Sequence, residues 1–263
     1  MTDATRGAAL EEVVALLDGA LRTAEVPDYG PALNGLQVAN AGRVTRVAAA
    51  VDFSRAAVEG AAAAGADLLV VHHGMFWSGA QPLVGAAYER VRLLLAHGIA
   101  VYGSHLPLDV HPTLGNNARL AALLELVPSG GFARFKTLDV GLSGEADVET
   151  AALAARAAAF AARHGHAAVH TPIAPGRRTR RWGLCTGAGA STETLREATE
   201  RGLDTLVVGE GPHHTAVEAA ERGVVVIYAG HYATETLGVQ ALGALLEERF
   251  GLPWSFVGEP TGL

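Results

Sequence analysis

The sequence predicts an α/β fold built as two similar lobes, related by an internal repeat, with a metal site between them. Three observations carry this. Apolar runs of strand length alternate with Ala-rich helical patterns from about residue 44 onward. The alternation occurs twice, in the same order. Most of the apolar runs stop at glycines or histidines, where the strand ends of an α/β sheet gather their functional groups.

Taken along the chain, an N-terminal helix over about residues 10–22 is predicted from Leu10, Val13, Val14, Leu17 and Leu21, which recur at helical spacing. Strands are predicted over residues 44–51, 68–71, 99–102, 184–186, 206–208 and 224–229, with helices at 56–64 and 192–201 among the connections. The first copy of the repeat contains Gly65-Ala-Asp-Leu-Leu-Val-Val-His72-His73-Gly74 and then Gly98-Ile-Ala-Val-Tyr-Gly-Ser-His105-Leu-Pro-Leu-Asp109. The second contains Gly202-Leu-Asp-Thr-Leu-Val-Val-Gly-Glu-Gly-Pro-His213-His214 and then Gly223-Val-Val-Val-Ile-Tyr-Ala-Gly-His231-Tyr-Ala-Thr-Glu235. Each reads strand, helix, strand ending near a His pair, helix, strand, then His-x-x-x-carboxylate. The domain reading is a first lobe over 1–127, including the N-terminal helix, and a second over 128–263. The second begins with a connecting strand–helix–strand piece over 128–170, and its tail adds a closing strand through Trp254-Ser-Phe-Val257.

Composition narrows the function. A chain of 263 residues with 49% hydrophobic content can bury a large core, and no run of about 18 apolar residues predicts a membrane span. A net charge of −7 argues against a nucleic-acid-binding surface. The one basic cluster, Arg177-Arg178-Thr179-Arg180-Arg181, reads as a solvated loop; its functional alternative is contact with an anionic substrate or a neighbouring subunit. The N-terminus has no secretory pattern, and the single cysteine fits a reducing cytoplasm, so a cytoplasmic protein is expected. One cysteine also excludes a cysteine-cluster metal site, leaving His, Asp and Glu as ligands.

Three motifs supply such ligands. His72-His73-Gly74 follows an apolar strand. Adjacent strand residues point opposite ways, so both rings reach a common site only if the backbone turns at the strand end. His105 and Asp109 follow the next strand; Asp109 as a turn cap and His105 as a buried polar residue is the plain alternative. His231 and Glu235 share a helix face at i, i+4, with capping by Thr234 or Glu235 as the alternative. His72, His73, Asp109, His231 and Glu235 offer three imidazoles and two carboxylates, about the number that two divalent ions bridged by a carboxylate require. Such donors suit zinc, with manganese or iron as alternatives. His213-His214 lines a pocket or binds metal, and the helix start there could also hold a phosphate. Cys185 reads as a small buried side chain, and His97, His111, His164, His166 and His170 as ordinary polar residues.

The ordered set Asn34-Gly-Leu-Gln-Val38, Val71-His-His-Gly74, Ser104-His105-x-x-x-Asp109, Gly209-Glu-x-x-His-His214 and Gly230-His-Tyr-Ala-Thr-Glu235 resembles the YbgI-like dinuclear metal-centre family, commonly described as GTP cyclohydrolase I type 2, over about residues 10–258. The resemblance implies two α/β lobes with the metals between them, ligands at His72, His73, Asp109, His231 and Glu235 with His105 beside them, and a ring-shaped homohexamer. It also implies the short form of the family, without a long domain inserted between the lobes. The function expected is a dinuclear-metal-dependent hydrolase acting on a small molecule, with ring opening of GTP as the specific case and His105 and His214 as proton carriers. A non-catalytic metal-binding scaffold, or a partner-binding hexameric ring, is the alternative.

Overall fold

The computed structural model describes residues 7–263. The chain begins with β1 (Ala8–Ala9), α1 (Leu10–Leu21), β2 (Gly35–Val38), β3 (Arg43–Val44), β4 (Val47–Asp52), α2 (Arg55–Ala63), β5 (Leu68–His73), α3 (Gly85–His97), β6 (Ala100–Gly103) and α4 (Leu106–Asp109). It continues with α5 (Asn116–Leu123), β7 (Gly130–Phe135), β8 (Leu138–Glu149), α6 (Thr150–Arg163), β9 (Val169–His170), β10 (Arg178–Cys185), α7 (Thr192–Glu200), β11 (Thr205–Val208), α8 (His213–Glu221), β12 (Val225–Tyr228), α9 (His231–Phe250) and β13 (Trp254–Phe256). Two compact units result. The first takes the chain up to Leu108 together with Gly238–Glu259; the second takes Asp109–Leu237 with Pro260–Leu263. No helix among the described residues is long and apolar enough to cross a membrane.

The first unit is built on a five-stranded sheet in the order β13-β4-β5-β6-β2. Strands β13, β4, β5 and β6 run parallel and β2 closes one edge antiparallel. Parallel strands are covered on both faces, so they carry continuous apolar runs, and Leu68–Val71 is fully buried. Helix α2 is started by Ser54, whose hydroxyl accepts from the Ala57 N–H at 2.9 Å, a cap worth about 1 kcal/mol. The returns from α2 to β5 and from α3 to β6 are each made by a glycine at positive φ, Gly65 at +67° and Gly98 at +63°.

The second unit holds a six-stranded sheet in the order β7-β8-β10-β11-β12-β9, of which β10, β11 and β12 are parallel. Its returns use Gly202 at +65° and Gly223 at +69°. One face of the sheet buries Leu153, Phe160, Trp182 and Leu184 with α5 and α6; the other buries Leu195, Leu206 and Val226.

The repeat is a structural one, down to ladder register. Val47 pairs with Leu68 and Leu68 with Ala100; Trp182 pairs with Thr205 and Thr205 with Val225. The same aspartate recurs as well. Asp67 accepts from the Thr45 and Arg46 N–H groups at 2.9 and 3.1 Å, and Asp204 from those of Arg180 and Arg181, both at 2.9 Å.

These aspartates explain two departures from expectation. The run predicted as one strand over 44–51 is split, because Asp67 takes the backbone donors of Thr45 and Arg46 between β3 and β4. The basic cluster is not a loop: β10 starts at Arg178, and only a register shift between Thr179 and Arg181 marks where Asp204 intervenes. Arg177 donates to the Asp204 and Gly223 carbonyls at 2.9 and 2.8 Å, and Arg178 pairs with Asp147. The segment 128–170 holds a β7–β8 hairpin, then α6 and β9, one strand more than expected. The closing strand in the tail is β13.

Candidate metal centre

The donors fall into two sets, one in each unit. In the first, β5 runs through both His72 and His73 before Gly74 lets the chain turn. A Cβ at Gly74 would collide with the Gln37 side-chain amide. That amide fixes the turn: it donates to the Ala32 and Leu33 carbonyls at 3.0 Å and accepts from the Met75 N–H at 2.7 Å. The two rings come to 4.7 Å between centroids. His105, at the entry to α4, adds a third ring, 4.9 Å from His72 and 5.6 Å from His73. One donor atom from each of the three lies within 4.8 Å of the others, and all three residues are buried.

Each ring is held by its Nδ1. His72 donates to the Ser104 carbonyl at 2.9 Å, His73 to Asp52 Oδ1 at 2.8 Å and His105 to Asp28 Oδ1 at 2.9 Å. Asp28 also accepts from the Leu106 N–H at 2.9 Å and from Asn34 Nδ2 at 2.8 Å. Burial works to raise the Asp28 carboxyl pKa, but the hydrogen bond and charge of His105, with Asn34 and the Tyr29 N–H, outweigh it and hold it below the usual value.

In the second unit, His231 opens α9 and Glu235 follows one turn later, their Nε2 and Oε2 3.2 Å apart. His231 Nδ1 donates to Glu210 Oε1 at 2.9 Å. Burial pushes the His231 pKa down, yet the hydrogen bonds and charges of Glu235 and Glu210 prevail and lift it to about 9. A Cβ at Gly187, which has φ +62°, would strike Glu235 Oε1 and lie 3.4 Å from His231 Nε2, so only glycine leaves this space for the pair. Thr234, one of the two capping alternatives, turns its hydroxyl to the Gly187 N–H at 3.0 Å. Asp109 is buried at the end of α4, its Oδ1 accepting from Asn116 Nδ2 at 2.8 Å. Asn117 donates to the Asp109 and Val140 carbonyls at 3.2 and 3.1 Å and accepts from the Thr186 N–H at 2.9 Å.

The residue chemistry fits divalent metal. Ring nitrogens with the opposite Nδ1–H engaged by carboxylate or carbonyl present Nε2 as the ligand atom, the arrangement that fixes tautomer and ring plane in metal sites. The sequence reading missed Asp28, Asp52, Glu210 and Gln37 in these supporting roles. His213 and His214 stand at the exposed first turn of α8; His213, with Glu210 and Tyr228, lines a cavity of about 270 Å³. Cys185 is buried as the last residue of β10, and burial, then the charges of Asp109, Glu235 and Glu197, push its thiol pKa far up.

The family model described as Duf34/NIF3 (NGG1p interacting factor 3) matches residues 8–259. The chain belongs to that family. Among its relatives is a Deinococcus radiodurans protein named GTP cyclohydrolase 1 type 2 homolog, 41% identical over 254 residues, which are 96% of this chain and 94% of the relative. Among solved structures, protein ybgI, described as of unknown function, superposes with a TM-score of 0.86 at 35% identity, over 97% of this chain and 100% of that one. TTHA1606 from Thermus thermophilus gives 0.83 at 37% identity, again over 97% and 100%. These likenesses bear out the α/β fold of two sheet-containing lobes and the family expected from the sequence motifs.

Proposed function

We propose that this Duf34/NIF3 member is a metal-dependent hydrolase of small molecules. In this reading His72, His73, Asp109, His231 and Glu235 hold two divalent ions per chain, zinc with manganese or iron as alternatives. The supporting observation is the set of Nδ1 tethers at His72, His73 and His231, which prepares each ring to present Nε2. Two such ions, when bound, activate water as a nucleophile near neutral pH.

The chain's own residues supply the rest. Asp28 fixes the proton on His105 Nδ1, so His105 Nε2 is the atom that accepts or returns a proton during the reaction. His214, exposed on the first turn of α8, is the second proton carrier of the reading. The relative's name, GTP cyclohydrolase 1 type 2 homolog, makes hydrolytic opening of the GTP imidazole ring the specific reaction to test. A homohexameric ring is the assembly expected with it.

A second reading is a non-catalytic metal-binding scaffold or partner-binding ring. The family description, which names an interacting factor, favours it, as do exposed apolar side chains at Tyr29, Leu33, Leu83 and Val84.

Elemental analysis of metal-replete protein is expected to give two divalent ions per chain. Glu235→Ala is expected to lose metal while keeping a cooperative melt. Fewer than one ion per wild-type chain overturns the dinuclear reading, and full occupancy in Glu235→Ala removes Glu235 from it. Turnover of GTP by loaded protein, absent after chelation, separates the enzyme from the scaffold.

A further inference from the structure

Beside His73 the first unit carries a cavity of about 220 Å³ to which the metal reading gives no role. Arg90, on α3, lines it. The Arg90 Nε is shut off from solvent and meets no acceptor among the described residues. Arg90 itself is half-buried, and as a lining residue its guanidinium offers a charge-assisted donor to an ionised acceptor in the cavity. The guanidinium lies over the Phe53 ring, its Cζ 5.6 Å from the ring centroid.

Trp77 lines the same cavity. Its indole packs 4.6 Å from the His73 ring and 4.4 Å from the His105 ring, and remains 36% exposed. The loop carrying it is braced by the Trp77 N–H to the Gly74 carbonyl at 3.1 Å and, at its root, by Gln37. Flat aromatic surface next to one guanidinium that lines the cavity is the chemistry for a planar ring bearing an oxyanion. Among the described lining residues Arg90 is the one Lys or Arg and Asp52, engaged by His73 Nδ1 at 2.8 Å, the one Asp or Glu, so at most a single anionic group is accommodated, at the Arg90 side. The volume is below the roughly 300–1,000 Å³ of pockets that enclose a whole drug-sized ligand, so it takes one end of a molecule.

We propose that this cavity is a substrate subsite that takes a planar ring carrying one carboxylate or phosphate, with Arg90 on the oxyanion and Trp77 against the ring. The proposal rests on the hydrolase reading, since the subsite adjoins His73, one of the ligands in that reading.

The test is calorimetric binding to the metal-loaded full chain, with metal content measured on each sample. The probes are benzoate, phenyl phosphate, GMP, phenol and inorganic phosphate. Benzoate against phenyl phosphate tells which oxyanion is preferred. Wild type is expected to bind at least one ring-bearing anion more tightly than inorganic phosphate or phenol. Arg90→Gln is expected to weaken that binding by about tenfold or more, the order of one charge-assisted hydrogen bond, and to leave phenol unchanged. Arg90→Lys, which keeps the charge on a similar stem, is the second variant and is expected to weaken it severalfold. Trp77→Ala is expected to weaken the ring-bearing anions and not inorganic phosphate. Ring-bearing anions bound no better than inorganic phosphate, or equal affinity in wild type and both Arg90 variants, overturns the subsite. Low metal with intact Arg90-dependent binding would sink the metal reading alone; full metal with no Arg90 effect would sink the subsite alone.

Discussion

Gly187→Ala tests whether the space around Glu235 exists for metal. Two costs are combined at this position. Gly187 has φ +62°, where adding a Cβ costs roughly 1–2 kcal/mol. The new Cβ would also strike Glu235 Oε1 and approach His231 Nε2 to 3.4 Å. The obstructed atom ends a flexible side chain, so the fold yields cheaply and the loss falls on the ligand geometry. Gly176→Ala separates the two costs, because Gly176 has φ +72° and an added Cβ there would meet nothing within 4 Å. Stripped of metal, both variants are expected to melt about 2–8 °C below wild type, at 2–4 °C per kcal/mol for a chain of this size. Zinc at about 100 times its Kd should stabilise wild type and Gly176→Ala by about 2.7 kcal/mol, and Gly187→Ala by much less. The assay is thermal melting with and without zinc, beside elemental analysis. Two ions per chain in Gly187→Ala, with a zinc-dependent gain in Tm equal to that of Gly176→Ala, would refute the reasoning.

Two further outcomes are expected. Burial and the charges of Asp109, Glu235 and Glu197 keep the Cys185 thiol protonated at neutral pH, so Cys185→Ser should leave turnover and metal content nearly unchanged while costing about 1–3 kcal/mol of stability for the buried hydroxyl; lost turnover at full metal content would assign the nucleophile to the thiol. Metal-free protein should be less stable at pH 9.5 than at pH 6, because a His231 pKa raised from 6.5 to about 9 contributes stability that is complete below 6.5 and lost as pH rises through 9. The full linkage is about 3 kcal/mol, reduced by solvent screening at a side chain 27% exposed, and Glu210→Gln should narrow the pH difference in urea unfolding; equal wild-type stability at both pH values would contradict it.

The strand–helix alternation and the repeat were legible because parallel strands buried on both faces must be continuous apolar runs, as at Leu68–Val71 and Leu206–Val208. The β7–β8 hairpin was not, because Gly130–Phe135 and Leu138–Glu149 mix charges and glycines with apolar residues and take their shape from pairing with each other and, for β8, with β10. The sequence placed His72, His73 and His105 after apolar strands; that their rings lie 4.7–5.6 Å apart is seen in the structure. Their supports did not follow. Asp28 reaches His105 from 77 residues away, and nothing in its local sequence announces a partner. Gln37 and Glu210 stood within motifs already singled out, and Asp52 lies one residue past the strand predicted over 44–51; a carboxylate at such a strand end is the available signal for a tether.

The shared ladder shows why a repeat in fold is not a repeat in role. Asp52 pairs with His73 two residues past the Ala50–Val71 pair; counting the same two steps from Cys185–Val208 reaches Gly187 and Glu210. In the first unit the strand-end position carries the imidazole, and the carboxylate of the neighbouring strand tethers it. In the second unit the strand-end position carries the tethering carboxylate, Glu210, and the imidazole arrives from α9 as His231. That exchange requires the position matching Asp52 to lose its side chain, because Glu235 and His231 occupy the room it would need. The following strand shows the same displacement: His105 comes two residues after Gly103, the last residue of β6 in the ladder, whereas His231 comes three after Tyr228, its counterpart in β12. An imidazole held by a carboxylate through Nδ1 persists in both units while the residues that provide it trade places, so Gly187 is as much a requirement of the second donor set as the histidine it makes room for.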